Sequence, residues 1–214
     1  MSAIQQPRLH RFSVEQYYEL GELGLLDQRT ELLEGIITDM EPIGPWHANI
    51  GDILSHLFNQ QAQGRFRVRV QYPINLGQIS QPQPDLVLYR PGIWRGQHTG
   101  AADISLVIEI SDTSLAFDLG EKLALYKSAG IQEYWVIDLK ARQVHCFVAP
   151  AYRRQTLSDS ISPVEWPDIR IDLTELSRER GLSGRSSPSV VAVRADDGKE
   201  KPTPATDRAR LGPH

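Results

Sequence analysis

Apolar residues recur along the chain at two spacings, one typical of helices and the other of strands. The helical spacing is clearest at residues 47–63, where it predicts an amphipathic helix. The alternating spacing of strands is clearest at residues 65–76. Residues 105–110 are apolar almost throughout, as in a strand that is buried on both faces. The chain therefore predicts a sheet with at least one helix packed on it.

Weaker patterns complete the order of elements. They predict a helix at residues 13–25, a hairpin at 31–40, a strand at 85–89, a helix at 118–129, and a second hairpin with strands at 131–138 and 143–149. Ser13 and Gln16 form a capping-box pattern at the first helix, and the first hairpin turns near Gly35. Helices that alternate with strands in this order predict the α/β class, with a mixed central β-sheet flanked by helices.

The C-terminal part of the chain differs in composition from the rest. The chain has 214 residues, which is the size of one domain with a tail. From about Gly181 the sequence is rich in Gly, Pro, Ser and charged residues. Such a segment cannot bury enough apolar surface to offset the entropy lost on ordering. We therefore predict one domain at residues 1–180 and a disordered tail at 181–214.

The overall composition disfavours several classes of protein. No apolar run approaches the roughly 18 residues that a membrane span needs, and the first residues lack the apolar core of a signal peptide. A cytoplasmic protein without a membrane partner is therefore expected. Cys146 is the only cysteine, which excludes an intrachain disulfide and a cysteine-based zinc site. The net charge of −4 argues against coating of nucleic acid by bulk electrostatics, but not against an enzyme that grips a few phosphates.

Two carboxylates stand where an ordinary core would be apolar. Asp85 opens the strand DLVLY, and Glu109 interrupts the run LVIEI. A buried carboxylate is costly unless it is paired, neutralised or bound to a metal. The alternative interpretation of Glu109 is a residue near the strand end that caps the following loop or pairs with an arginine. A polar loop at residues 111–114 follows this strand, at a place where functional sites often form.

Lys122 adds a cation on the helix predicted to follow that strand. It lies four residues before Tyr126 and therefore near the same apolar face, which should pack on the sheet that carries Glu109. The alternative is a lysine that extends to solvent from the edge of an amphipathic helix. Asp118 and Glu121 form a capping-box pattern, so we interpret Asp118 first as the residue that begins this helix.

Two carboxylates and one lysine form a minimal set for the hydrolysis of a phosphodiester. Carboxylate oxygens suit Mg²⁺, which takes one or two carboxylates and keeps several waters; Mn²⁺ is a second expectation. A metal can polarise the phosphate and acidify the attacking water, and an ammonium can stabilise the charge that develops on the phosphate. Asp85, Glu109 and Lys122 are therefore the candidate catalytic residues.

Long stretches of the sequence resemble the Uma-type restriction endonuclease family. They are QPQPDLVLYRP, LVIEISDTSLAFDLGEKLALYKSAGIQEYWVIDLKARQVHCF, ELLEGIITDMEPIGPWHANI and VQYPINL, and together the resemblance covers about residues 12–176. It implies a restriction-endonuclease-like core of the PD-(D/E)XK nuclease superfamily, with DNA and a divalent metal as partners. Many nucleases cut both strands as two-fold dimers, so by analogy a homodimer is also expected.

The resemblance assigns roles to single residues. Pro84 and Asp85 resemble the PD element, and Glu109 resembles the (D/E) position. The sequence departs from the superfamily pattern at Ser111, which stands two residues after Glu109 where a lysine is usual. In Uma-type proteins this lysine is moved to the following helix, and Lys122 matches that position.

Four further residues are secondary candidates for the predicted site. Glu31 matches an acidic residue of an upstream family motif and is a candidate third metal ligand; the alternative is a glutamate on the strand surface. His47 matches a family histidine, although it could simply follow Pro45 at a helix N-terminus. Gln71 and Ser111 are expected to line the cleft together with His47.

The sequence therefore supports a metal-dependent endodeoxyribonuclease as the main interpretation. One alternative is a nuclease-fold module that is weakly active or inactive and acts in binding DNA or protein; the acidic composition favours it mildly. Another is a different phosphate-ester hydrolase on the same scaffold. A nucleotide-binding enzyme is disfavoured because no Gly-rich phosphate loop follows a predicted strand, and the signatures of helix-turn-helix and zinc-finger regulators are missing.

Overall fold

A six-stranded mixed sheet forms the centre of the protein in the computed structural model, which describes residues 9–26, 29–92, 98–149, 151–156 and 159–178. The helices are α1 (Val14–Glu22), α2 (Pro45–Ala62), α3 (Leu115–Phe117), α4 (Leu123–Ser128) and α5 (Thr174–Arg178). The strands are β1 (Thr30–Leu33), β2 (Ile36–Asp39), β3 (Arg67–Val70), β4 (Leu86–Tyr89), β5 (Ile104–Ser111), β6 (Glu133–Asp138), β7 (Gln143–Val148), β8 (Ala151–Thr156), β9 (Ser160–Ile161) and β10 (Ile171–Asp172). The tail predicted at residues 181–214 lies outside the described residues.

The central sheet has the strand order β3-β4-β5-β6-β7-β8. Strands β5 and β6 are parallel, and the other neighbouring pairs are antiparallel. The parallel pair is joined through α3 and α4, as a crossover between parallel strands requires. The predicted α/β class with a mixed sheet and flanking helices is therefore confirmed. Within the described part of the chain, no helix is long and apolar enough to cross a membrane.

Each face of the sheet buries its own apolar cluster. On one face, α2 contributes Leu54 and Phe58, which are fully buried against Trp135 of β6. On the other face, Tyr126 of α4 packs against Val107 and Tyr134. The apolar spacing of the two helices predicts these contacts, because positions four residues apart share one helical face. The sheet is thus covered on both sides, and a polar side chain at its end can be enclosed between the two layers.

The strand predicted at residues 65–76 is shorter in the structure, where β3 spans only Arg67–Val70. Gln71 has a φ of 51°, which lies in the left-handed region and ends the extended backbone. Val70 and Tyr72, which continue the apolar alternation, are 40% and 44% exposed. An alternating pattern can therefore continue past the end of an edge strand into a loop.

The helix predicted at residues 118–129 begins earlier than expected. It starts at Leu115, passes through a π turn at Asp118–Lys122, and ends at Ser128. Asp118 is thus inside the helix, and the prediction that it begins the helix as a capping residue is wrong. The π turn widens the helix by one residue, a feature that often occurs at functional sites. It brings the buried side chains of Asp118 and Lys122 to the same side of the helix.

Candidate active site

Two neighbouring strands bring Asp85 and Glu109 together at one end of the sheet. Asp85 directly precedes β4, and Glu109 lies near the end of β5; the antiparallel register pairs Leu86 with Ile108. The backbone N–H of Asp85 donates to Oε2 of Glu109 over 3.3 Å. These two carboxylates, which stood out in the sequence, are therefore neighbours in the fold.

Glu109 is 3% exposed and has two side-chain donors on one oxygen. The Nζ of Lys122 lies 3.0 Å from Oε1, and the hydroxyl of Tyr126 donates to the same oxygen over 2.8 Å. Burial raises the pKa of Glu109 well above its ordinary value, and the Lys122 ammonium opposes that rise. The neighbouring charges of Asp85, Asp118 and Glu31 raise the pKa further.

Lys122 lies between two carboxylates at the floor of the site. Besides its contact with Glu109, its Nζ is 3.2 Å from Oε1 of Glu31, and the residue is only 5% exposed. Burial alone would lower the pKa of Lys122, but the charges of Glu109, Glu31 and Asp118 outweigh burial and raise it above the ordinary value. The lysine is therefore held as a cation. The alternative of a lysine extending into solvent does not apply here.

Glu31 is also buried, at 3% exposure. One of its oxygens contacts Lys122, and the backbone N–H of Gln83 donates to the other over 3.1 Å. Both oxygens of Glu31 are thus occupied in this structure. The β1–β2 hairpin that carries Glu31 matches the prediction. An isolated antiparallel β-bridge between Leu32 and Gln81 pairs this hairpin with the segment that precedes β4. The geometry makes Glu31 a direct partner of the lysine.

Asp85 is fixed from two directions. Nε2 of His47 lies 2.8 Å from Oδ1, and the backbone N–H of Ile110 donates to Oδ2 over 2.7 Å. His47 belongs to the first turn of α2, so the N-terminal end of this helix meets the sheet at Asp85. The side chains of His47 and Asp85 are 20% and 14% exposed, which makes them more accessible than the lysine and its two glutamates.

Asp118 and Tyr126 belong to the site but were not predicted to do so. Asp118 is 3% exposed and accepts a hydrogen bond of 2.5 Å from the hydroxyl of Ser114. Burial raises the pKa of Asp118, and the hydrogen bond from Ser114 opposes the rise. The available signal was the four-residue spacing of Asp118, Lys122 and Tyr126, which places all three near one side of a helix.

The site opens into a cavity of about 450 Å³. The candidate site residues that line it are Glu31, His47, Asp85, Glu109, Asp118 and Lys122. A second cavity of about 160 Å³ shares His47 and Asp85 with the first and is lined by Gln71 as well. Of the secondary residues, His47 lines both cavities and Gln71 lines the second one. Ser111 is 1% exposed, its hydroxyl lies 3.4 Å from that of Ser114, and it is not among the residues that line either cavity.

The donor set suits a hard divalent cation. Asp85 and Glu109 provide neighbouring carboxylates, and Mg²⁺ needs only one or two together with waters. Within the described residues, Oε2 of Glu109 accepts one hydrogen bond, a long one of 3.3 Å from the N–H of Asp85, while the two side-chain donors contact Oε1. Within that part of the chain, no three His, Cys, Asp or Glu residues are grouped so that they could hold a metal alone. A metal at this site would therefore be held by two carboxylates and completed by water or phosphate oxygens.

Comparison with known proteins gives a consistent result. The sequence model of the Uma2 family, described as "Putative restriction endonuclease", matches residues 14–174. A crystal structure of "a putative nuclease belonging to DUF820 from Anabaena variabilis" superimposes with a TM-score of 0.61 at 16% identity, over 73% of this chain and 96% of that chain. This likeness shows a shared fold. No match was found among curated protein sequences.

Proposed function

Because this chain belongs to the Uma2 family, as its sequence predicts, we propose that it is a metal-dependent endonuclease that hydrolyses DNA phosphodiester bonds. The observation that carries this proposal is the buried ammonium of Lys122, held 3.0 Å from Glu109 at the floor of a cleft. A lysine in this setting is charged and rigidly placed, as electrostatic stabilisation of a phosphate requires. The neighbouring Asp85 completes the three candidate catalytic residues.

Asp85 and Glu109 would hold the metal, with Mg²⁺ as the first expectation and Mn²⁺ as the second. When bound, such an ion polarises the phosphate and acidifies the attacking water. Both carboxylates are prearranged for this role, because Ile110 and His47 fix Asp85 while Lys122 and Tyr126 fix Glu109. A first set of ligands that is held in place by its neighbours binds a metal more tightly and in a more defined geometry.

Lys122 would stabilise the negative charge that develops on the phosphate during hydrolysis. Its position depends on Glu31, whose two oxygens contact the lysine and the backbone of Gln83. We therefore assign Glu31 first to holding the lysine and only second to the metal. His47 bonds to Asp85, so we assign it to orienting that carboxylate.

The decisive experiment uses circular DNA, because a circle without ends is cut only by an endonuclease. Purified protein is incubated with supercoiled plasmid and with circular single-stranded DNA in Mg²⁺, Mn²⁺ or EDTA. We expect nicking or linearisation with either metal, none in EDTA, and none by Asp85→Ala. If the wild-type protein with metal leaves both circles intact, the activity is refuted and the binding-module interpretation takes its place.

A further inference from the structure

The entrance of the cleft is formed by two loops that contact each other. One loop follows β2 and contains Glu41, and the other follows β5 and contains Thr113. The hydroxyl of Thr113 donates to Oε2 of Glu41 over 2.9 Å. This hydrogen bond links the two walls of the cleft at its exposed edge, so the walls form a continuous rim at that point.

The reactive groups lie below this rim. Glu109 and Lys122 are 3% and 5% exposed, and the Asp85 side chain is 14% exposed. An intact DNA duplex is a stiff rod with a persistence length of about 50 nm. A phosphate within such a rod can reach a recessed site only if the protein walls fit around the duplex. A single strand is flexible enough to bend down into the cleft.

The charge at the rim also discriminates between the two forms of DNA. Exposed carboxylates of Asp39, Glu41 and Asp112 line the entrance together with one exposed basic residue, Arg29, so the rim is acidic on balance. A duplex carries one negative charge per about 1.7 Å of its axis, whereas a single strand carries one per about 3.4 Å. The acidic rim therefore repels a duplex more strongly than it repels an unpaired strand.

The walls of the same cleft offer apolar surface as well. Pro42 and Ile43 line one wall, and Phe117 lines the other. Each of these residues is exposed or half-buried and thus accessible from the cleft. Unpaired bases can pack their faces on such side chains, and stacking on an aromatic ring contributes about 1–3 kcal/mol per base in single-strand binding proteins. In a duplex these base faces are already stacked on each other.

From the linked walls, the recessed site and the acidic rim, we propose that this cleft takes an unpaired DNA strand and not a continuous duplex. The proposal rests on the nuclease function proposed above and names the form of DNA on which it acts. The substrate would be single-stranded DNA or an unpaired region next to a duplex. Its bases would lie against the apolar walls, and its phosphate would lie above Asp85 and Glu109.

The test compares two labelled oligonucleotides of the same sequence, one single-stranded and one annealed to its complement. Full-length protein in Mg²⁺ or Mn²⁺ should cleave the single strand at least about tenfold faster, because both the charge and the access favour it. Cleavage of the duplex at an equal or higher rate overturns this inference and leaves the nuclease function intact.

If neither oligonucleotide is cleaved, the circular-DNA assay decides the nuclease function and binding decides the inference separately. Fluorescence anisotropy with the same two oligonucleotides then measures which form the protein prefers. Tighter binding of the single strand supports the proposed ligand of the cleft. Equal binding, tighter binding of the duplex, or no binding at all overturns it.

Variants of the rim give a second, independent readout. Thr113→Val removes the hydrogen bond to Glu41 without changing the size of the side chain, and Asp112→Asn removes a rim charge. Both should raise the ratio of duplex to single-strand cleavage by several-fold. Glu22→Gln, at the end of α1 and outside the cleft lining, is the matched charge control and should leave the ratio unchanged. An unchanged ratio in both rim variants contradicts the role of the rim.

Discussion

Lys122 links the stability of the site to its proposed chemistry. Its ammonium is buried between Glu109 and Glu31 at 3.0 and 3.2 Å. Loss of one partner from a buried ion pair commonly costs about 3–5 kcal/mol, because the remaining charges have no compensation. A variant that removes the lysine should therefore change folding as well as the proposed activity, and experiments on this residue must measure both.

Replacement Lys122→Met should lower the free energy of unfolding by about 3 kcal/mol at neutral pH in EDTA. The loss should depend on pH. Without the ammonium, the pKa of Glu109, which burial already raises, rises further. Both folded proteins then bind more protons than the unfolded chain above about pH 4.3, and the variant does so over a wider range, so the variant loses more stability as the pH rises and its deficit narrows as the pH falls from neutral into the acidic range. Denaturant melts across this range measure the effect.

Lys127→Met is the control for this experiment. Lys127 is an exposed residue of α4 whose ammonium lies 5.0 Å from the ring centre of Phe147. Because this charge is in solvent, its removal should change stability little at any pH. A deficit of Lys122→Met that stays constant between neutral and acidic pH would show that the lysine does not compensate a buried carboxylate.

Two buried tyrosines allow the positioning of Glu109 to be tested separately. Tyr126 donates to Glu109 itself, whereas Tyr134 donates to the backbone oxygen of Asp118. Tyr126→Phe and Tyr134→Phe should each cost about 1–2 kcal/mol of stability through one lost hydrogen bond. Only Tyr126→Phe should also lower the rate of DNA cleavage, and by several-fold. Equal cleavage rates in the two variants contradict a positioning role for Tyr126.

At this scale the sequence predicted the residues that break a pattern and missed those that fit one. Asp85 opens one apolar strand and Glu109 interrupts another, so both stood out, and Lys122 followed from its helical spacing. Asp118 fits a capping box as well as it fits a site, because Glu121 follows it by three residues. Tyr126 fitted an apolar face, and the partner of its hydroxyl depends on packing between a helix and a strand that are distant in sequence.

Among the elements, the β1–β2 hairpin has a direct influence on the site because it carries Glu31. The hairpin turns at Gly35, which has a φ of +80°. A Cβ at this position would meet the side chain and backbone of Arg11. The backbone oxygen of Gly35 also accepts a hydrogen bond from the N–H of Phe12. This turn thus depends on glycine for both its conformation and its space.

Gly35→Ala should destabilise the protein by more than the roughly 1 kcal/mol that a left-handed alanine costs, because a steric clash adds to it. Gly24→Ala is the matched control: Gly24 has a φ of +68°, but a Cβ there would have no neighbour within 4 Å. Thermal and denaturant melts of the two variants compare the effects. Equal losses would show that the approach of Arg11 does not constrain the hairpin.

The pattern of apolar positions predicted most elements, and it failed where the backbone depends on tertiary contacts. Helix α2 and the strands β5 and β6 follow strong periods, and their predicted bounds lie within a few residues of the observed ones. The π turn at Asp118–Lys122 could not be predicted, because its wider backbone leaves the apolar spacing almost unchanged. Strand β8 was not predicted either.

For the molecule as a whole, the fold gathers carboxylates in excess of cations at the cleft. Folding places Glu31, Asp85 and Glu109 close to each other, and a bound cation would relieve their repulsion. A ligand that binds only the folded state stabilises it, by about 2.7 kcal/mol when its concentration is 100 times its Kd. Millimolar Mg²⁺ or Mn²⁺ should therefore raise the melting temperature of the wild-type protein. Asp85→Ala should show a much smaller shift, and an equal shift in both proteins contradicts a metal site at Asp85.

The central claim is tested most directly by cleavage of circular DNA, measured for the wild type, Lys122→Met and Lys127→Met. Melting must show that each protein is folded under the conditions of the assay. The account predicts metal-dependent cleavage by the wild type and by Lys127→Met. Cleavage by Lys122→Met should fall by at least about 100-fold, the usual effect of losing a group that stabilises charge in the transition state. Cleavage by folded Lys122→Met at the wild-type rate would contradict the account.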